Sequence, residues 1–185
     1  QPARAVFGGW GVPFGIEFLV DRTGAALVLI TALMGAASLL FLASDADPGP
    51  RHPLLLPLIH GVLAGVGGSF ATADLFNLYV WFEVMLICSV GLFALGGRPD
   101  QLDATFKYFV LNLFGTLLLL MAVGMVYAVT GHLNYGAIAQ AMPEVPHGVA
   151  TLVTAGLVLA FLIKAGAFPM FAWLPASYHT LPAPV

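Results

Sequence analysis

The chain has 185 residues, 60% hydrophobic and only 8% charged, with a mean hydropathy of +0.97. A soluble domain carries about 25% charged residues, so this chain cannot cover itself in charge and belongs in a bilayer. Its net charge of −3 is small and dispersed, with no basic patch, which excludes nucleic acid as a partner.

The expected fold is an all-α integral membrane protein, a single transmembrane domain over 1–185 with five spans. Each span approaches or exceeds the ~20 residues needed to cross ~30 Å of hydrocarbon. The first covers about 23–43, with Asp21 and Arg22 at its interfacial start. "SDADPGPRHP" (44–53) supplies turn chemistry before the second span, about 54–72. That span carries His60, read as a packing or hydrogen-bonding residue, and "GVLAG" (61–65), whose small-residue spacing lets a neighbouring helix come close. A tight turn at "TAD" (72–74) follows, where Thr72 or Asp74 can cap the third span, about 74–96. Cys88, the only cysteine, has no partner for a disulfide or a thiolate metal site and reads as a small buried hydrophobe.

"GGRPDQLD" (96–103) leads to the fourth span, about 105–130, with Lys107 in its first turn and Asp103 four residues before it. "GHLNYGAIAQAMPEVPHG" (131–148) has room for a short surface helix. The fifth span covers about 149–168 with a continuation to about 174, ending in "AGAFPMFAWLP". Pro169 lacks the amide that would bond to Ala165, and Gly166 loosens the same turn, so this helix is expected to break just after Lys164. Arg51 and Arg98 fall in connections on one side of the bundle, which the positive-inside rule makes cytoplasmic, although Arg4 and Arg22 lie at the opposite end. No basic n-region precedes an apolar h-region, so no signal peptide is expected, and "LPAPV" stops within what reads as a connection, as in a piece of a longer polypeptide.

Three ionisable groups inside these spans need explanation. Glu83 stands ~14 Å into the third span, near mid-bilayer, where a charge costs at least about 2.5–3.5 kcal/mol. It is either a protonated structural glutamate or a group that handles protons or ions. Lys164 either snorkels to an interface or stands at a hydrated break in the fifth span, where the end dipole favours a cation. Lys107 is an interfacial anchor paired with Asp103 or a proton relay to Glu83. The sequence has no phosphate-binding glycine loop and no histidine spacing for a metal, so no cofactor is expected.

Four blocks carry a resemblance: "GGWGVPFGIEFLVDRTGAALVLITAL", "DLFNLYVWFEVMLI", "KYFVLNLFGTLLLLMAVGMVYAVTGHLN" and "IKAGAFPMFAWLPASYHTLPAPV". Together they resemble the antiporter-like membrane subunits shared by Mrp-type cation/proton antiporters and respiratory complex I. "DLFNLYVWFEV" points to the D-type subunits of the Mrp complex. The resemblance implies a subunit of fourteen helices built from two inverted five-helix repeats, of which this chain would be the third to seventh helices. It also implies that Glu83 is the family's helix-five glutamate, Lys164 its helix-seven lysine on an interrupted helix, and Lys107 the helix-six lysine of some members. The partners it implies are the other Mrp subunits, the lipid bilayer, protons, and sodium or another monovalent cation. The location it implies is the bacterial plasma membrane, with multiple passes.

The function expected is therefore cation/proton exchange, with proton translocation through Glu83 and Lys164 and a transporter rather than an enzyme. Two rivals stand beside it. One is a proton-pumping subunit of complex I or a membrane hydrogenase, driven by redox chemistry elsewhere. The other is a purely structural membrane subunit.

Overall fold

A computed structural model describes residues 2–11, 15–44 and 52–178. It contains β1 (Ala3–Val6), β2 (Glu17–Val20), α1 (Arg22–Ser44), α2 (Leu55–Ala71), α3 (Leu75–Ala94), α4 (Pro99–Thr130), α5 (Tyr135–Ala141), α6 (His147–Lys164) and α7 (Trp173–Ser177). Among the described residues four helices, α1, α3, α4 and α6, are long and apolar enough to cross a membrane, and α2 is a shorter apolar helix. At ~1.5 Å per residue, the 17 residues of α2 reach ~25 Å, at the short end of what spans hydrocarbon.

The helices pack in a chain of neighbours: α1 on α2, α2 on α3, α3 on α4, and α4 on both α6 and α7. Between α2 and α3 the contact is made through glycine. A β-carbon at Gly61 would stand 2.4 Å from Cys88 Sγ, at Gly65 2.5 Å from Met85 Cγ, and at Gly68 2.3 Å from the Trp81 ring. These three positions share one helical face, so the "GVLAG" motif and its continuation form the notch that receives α3. In return, Gly91 of α3 takes the Leu58 side chain of α2.

α4 begins at Pro99, earlier than hydropathy suggested, because proline is well suited to the first helical position and Asp100 sits in the first turn. With 32 residues, or ~48 Å, it outreaches the hydrocarbon and extends its charged start into the interface. Lys107 consequently lies in the third turn of α4, not the first.

One end of the bundle is tied by a small β-structure that the sequence pattern did not reveal. β1 and β2 pair antiparallel, Ala3 opposite Val20. The Ala73 amide donates to the Glu17 carbonyl (2.9 Å), the Leu75 amide to Leu133 (2.8 Å) and the Tyr135 amide to Ala73 (2.9 Å). Buried Glu17 accepts from Arg4 Nη1 at 3.1 Å and from Asn134 Nδ2 at 2.7 Å. The hairpin, the α2–α3 turn and the α4–α5 turn are thereby joined. Asp74 caps α3 by accepting from the Asn77 amide (2.8 Å), Asp21 accepts from the Gly24 amide in the first turn of α1 (2.7 Å), and Asn134 caps α5. Arg51, one of the two cations behind the expected orientation, lies outside the described residues, as does His179.

Candidate functional site

α6 ends at Lys164 in a Schellman motif. The Gly166 amide bonds back to Ile163 (3.1 Å) and the Ala167 amide to Leu162 (3.0 Å), while Gly166 adopts φ +59°. That conformation is natural for glycine at this place. The chain then turns through 165–172, with a cis peptide at Phe168–Pro169, before α7 starts at Trp173. The break is thus set by Gly166, with Pro169 lying inside the turn that follows. Its free end is satisfied from the side as well: Trp173 Nε1 donates to the Ile163 carbonyl at 3.0 Å.

Lys164, half-buried, points from this end into a cleft of about 650 Å³ between α2, α3, α4 and α6. Ser89, Tyr108, Asn112 and Tyr178 supply the other polar groups of its wall, and Ser89 is within hydrogen-bonding reach of the Tyr108 hydroxyl. The Lys164 stem passes Gly115, where a β-carbon would stand 4.0 Å from Cε. Its Nζ lies 5.8 Å from the centroid of the Phe82 ring, a cation–π distance.

Glu83 follows Phe82 on α3 and is half-buried. Its Oε1 is shielded and has no hydrogen-bond partner among the described residues, an arrangement that costs about 1–3 kcal/mol unless water, a proton or a cation meets it. Glu83 and Lys164 lie within Coulombic reach of each other. They are not an ion pair: among the described residues the pairs within 4.0 Å are Arg4–Glu17, Arg98–Asp100 and Lys107–Asp103. Glu83 is not among the residues lining the cleft.

The remaining expected residues fall elsewhere. Lys107 is on the exposed face of α4, its Nζ 2.5 Å from Asp103 Oδ2. His60, also exposed, bonds through Nδ1 to the Leu56 carbonyl at 2.8 Å. Cys88 is the side chain held against Gly61.

Tyr108 and Asn112, which line the Lys164 cleft, belong to a longer polar row on α4. Gln101, Thr105, Tyr108, Asn112 and Thr116 are all buried on one face of α4. Their spacing of three or four residues is the signal that could have found them, since polar groups in a span face protein or water rather than lipid. Thr105 and Thr116 bond to carbonyls one turn back, which lets them lie in an apolar helix at little cost.

Residues 72–185 match the family model described as the transmembrane region of NADH:quinone oxidoreductase and Mrp antiporters. The D-type Na(+)/H(+) antiporter subunit of Alkalihalophilus pseudofirmus is 37% identical over 96% of this chain and 36% of its own length. The protein of the same name in Bacillus subtilis is 38% identical over the same shares. The chain therefore spans about a third of the length of these curated relatives. Among solved structures, a chain of the Mrp complex from Dietzia sp. DQ12-45-1b superposes with a TM-score of 0.86 at 31% identity, over 98% of this chain and 34% of that one. A chain of the membrane-bound sulfane sulfur reductase, an archaeal respiratory membrane complex, superposes with a TM-score of 0.90 at 28% identity, over 100% of this chain and 38% of that one. By the matched region and by identity along nearly its whole length, the chain belongs to the NADH:quinone oxidoreductase/Mrp antiporter transmembrane family.

Proposed function

We propose that this chain is the proton-handling part of a membrane subunit of a multisubunit sodium/proton antiporter, a transporter and not an enzyme, seated in the bacterial plasma membrane with other Mrp subunits. The D-type relatives, named as Na(+)/H(+) antiporter subunits, support the cation and the proton as its cargo, and the likeness to the Mrp complex supports the partners. The observation that carries the reading is the pairing of a shielded, unpartnered carboxylate oxygen on Glu83 with a lysine at the end of a broken helix, close enough to feel its charge and too far to neutralise it. In this reading the two groups alternate between a closed state, with both ionised and the proton on Lys164, and an open state, in which the separated lysine gives up its proton to water in the cleft. A cation elsewhere in the assembly biases these two states. Lys107, held by Asp103 at the Arg98 end of α4, enters as a relay toward Glu83.

Exchange in membrane vesicles carrying the full-length subunit in its complex tests this. Glu83→Ala should abolish exchange while assembly survives, and Glu83→Gln should be nearly as damaging because it keeps the shape and loses the titration. Normal exchange by Glu83→Gln would sink the proposal.

The likeness to a respiratory complex favours a second reading, in which the same pair pumps protons on power from redox chemistry elsewhere. Vesicles without any electron donor separate the two. An antiporter exchanges when given only a sodium or proton gradient, whereas a redox-driven pump stays silent.

A further inference from the structure

We infer that Trp173 is a positioning residue for Lys164, holding the lysine in the cleft and away from Glu83. For its effect on transport this rests on the reading of Glu83 and Lys164 given above. Ile163, the residue before Lys164, is fixed on two sides. Its side chain occupies the notch at Gly115 of α4, where a β-carbon would meet Ile163 Cγ2 at 2.8 Å. Its carbonyl accepts from both the Gly166 amide (3.1 Å) and the Trp173 indole (3.0 Å). A residue so held fixes the Cα of the next one and the direction in which the Lys164 side chain leaves the backbone, from where its stem runs past Gly115 and its ammonium lies over Phe82.

The indole is itself immobilised. Trp173 is buried, its ring 5.6 Å from Tyr108 in an edge-to-face arrangement and 6.1 Å from Tyr178. Tyr108 in turn packs against Phe93 with the rings tilted and 4.6 Å apart, and Leu174 fills the space beside Gly166. The segment after the break is therefore anchored to α3 and α4, and it reaches back to the helix end through one N–H. Inside a membrane that N–H matters beyond packing, because a helix-end carbonyl that loses one of its partners has little water at hand to replace it. Without the indole bond, the Ile163 carbonyl is held only by amides of the turn that follows it, with no link to the segment anchored on α3 and α4. Lys164 then gains the freedom to close on Glu83.

Two measurements on the full-length subunit in its complex test this, with Trp173→Phe, which keeps a ring and loses the donor. If that variant does not assemble, the benzothienyl isostere of tryptophan keeps the bicyclic shape without the N–H. The first measurement is labelling of Lys164→Cys by a membrane-impermeant maleimide in a cysteine-free background. Loss of the donor should change the rate at least about threefold, and an unchanged rate overturns the positioning role whatever transport does. The second is the pH profile of exchange. Its alkaline limb should move up by about one unit, the size of effect an opposite charge has at close range, and the shift should vanish in a Glu83→Gln background measured on residual exchange under a large imposed gradient. A changed labelling rate with an unmoved profile overturns the link between the indole and the proton step. Full exchange by Lys164→Met defeats the functional reading instead and leaves the labelling result intact.

Discussion

Lys164 Nζ stands 5.8 Å above the ring of Phe82, one residue short of the carboxylate with which it shares a field. The ring face offers the ammonium a partner that does not neutralise it. Phe82 is steadied by Phe161, at 6.4 Å edge-to-face. A cation–π contact contributes about 0.5–2 kcal/mol, so Phe82→Leu should slow exchange by roughly two- to thirtyfold with assembly intact. Phe82→Tyr, which keeps the ring face, should exchange at close to the original rate. Equal rates for the leucine and tyrosine variants in vesicles would show that the ring is only packing.

The glycine notch between α2 and α3 makes a contrast between adjacent residues. Gly68→Ala would put a β-carbon 2.3 Å from the Trp81 ring, and that ring cannot swing away freely because its Nε1 donates to Asn77 Oδ1 at 2.8 Å. Overpacking of this kind costs about 1–3 kcal/mol. At Gly67 a β-carbon meets nothing within 4 Å, and replacing a mid-helix glycine with alanine gains roughly 0.5–1 kcal/mol. Thermal melts of the purified complex should therefore move down for Gly68→Ala and hold or rise for Gly67→Ala.

How far these features could be read in advance depends on the scale of the signal. The spans were legible because hydropathy accumulates over about 20 residues, and Glu83 and Lys164 stood out because each is a lone charge in such a run. The break after Lys164 was legible from Gly166 and Pro169, which act locally on the backbone. The hairpin was not, because its four-residue strands are short and exposed on β1, and its register is fixed by bonds to Ala73 and Asn134, distant in sequence. Asn112 and Tyr108 were passed over for a related reason. Uncharged polar residues barely lower a hydropathy sum, and only their common face on α4, against α3 and α6, gives them meaning. Trp173 looked like one more apolar residue until its indole met a carbonyl ten residues back.

The end of the bundle tied by Glu17 and Asn134 carries an alkaline sensitivity. Tyr135, in the connection between α4 and α6, is 36% exposed, and the covered part of its ring, followed by the charge of Asp74, pushes its phenol up to about 12. In an unfolded chain the same phenol ionises near pH ~10. Between pH ~10 and ~12 the unfolded state therefore releases a proton that the folded state keeps, and stability falls as pH rises through that window. Melting temperature recorded against pH should drop there for the native subunit. Tyr135→Phe should flatten the drop, and an identical decline in both proteins would mean that other groups govern it.

Glu83 and Lys164 should also behave as one unit in a double-mutant cycle on exchange rate. Each removal strands the other. Glu83→Gln leaves Lys164 in the cleft without the carboxylate whose field it shares, and Lys164→Met leaves the shielded Glu83 oxygen, which has no hydrogen-bond partner among the described residues, without that ammonium. Breaking one side of a buried charge pair is costly mainly because of the charge left behind, so removing both is expected to be less damaging than the product of the single losses. The separation beyond 4.0 Å limits the ground-state interaction, but neighbours in one network commonly couple by about 0.5–3 kcal/mol, roughly two- to more than a hundredfold in rate. The cycle needs rates above background, so it is best run with an imposed gradient large enough to reveal residual exchange in the single variants. A double variant whose loss equals the product of the single losses would mean that the two residues act independently and that the alternation proposed for them is wrong.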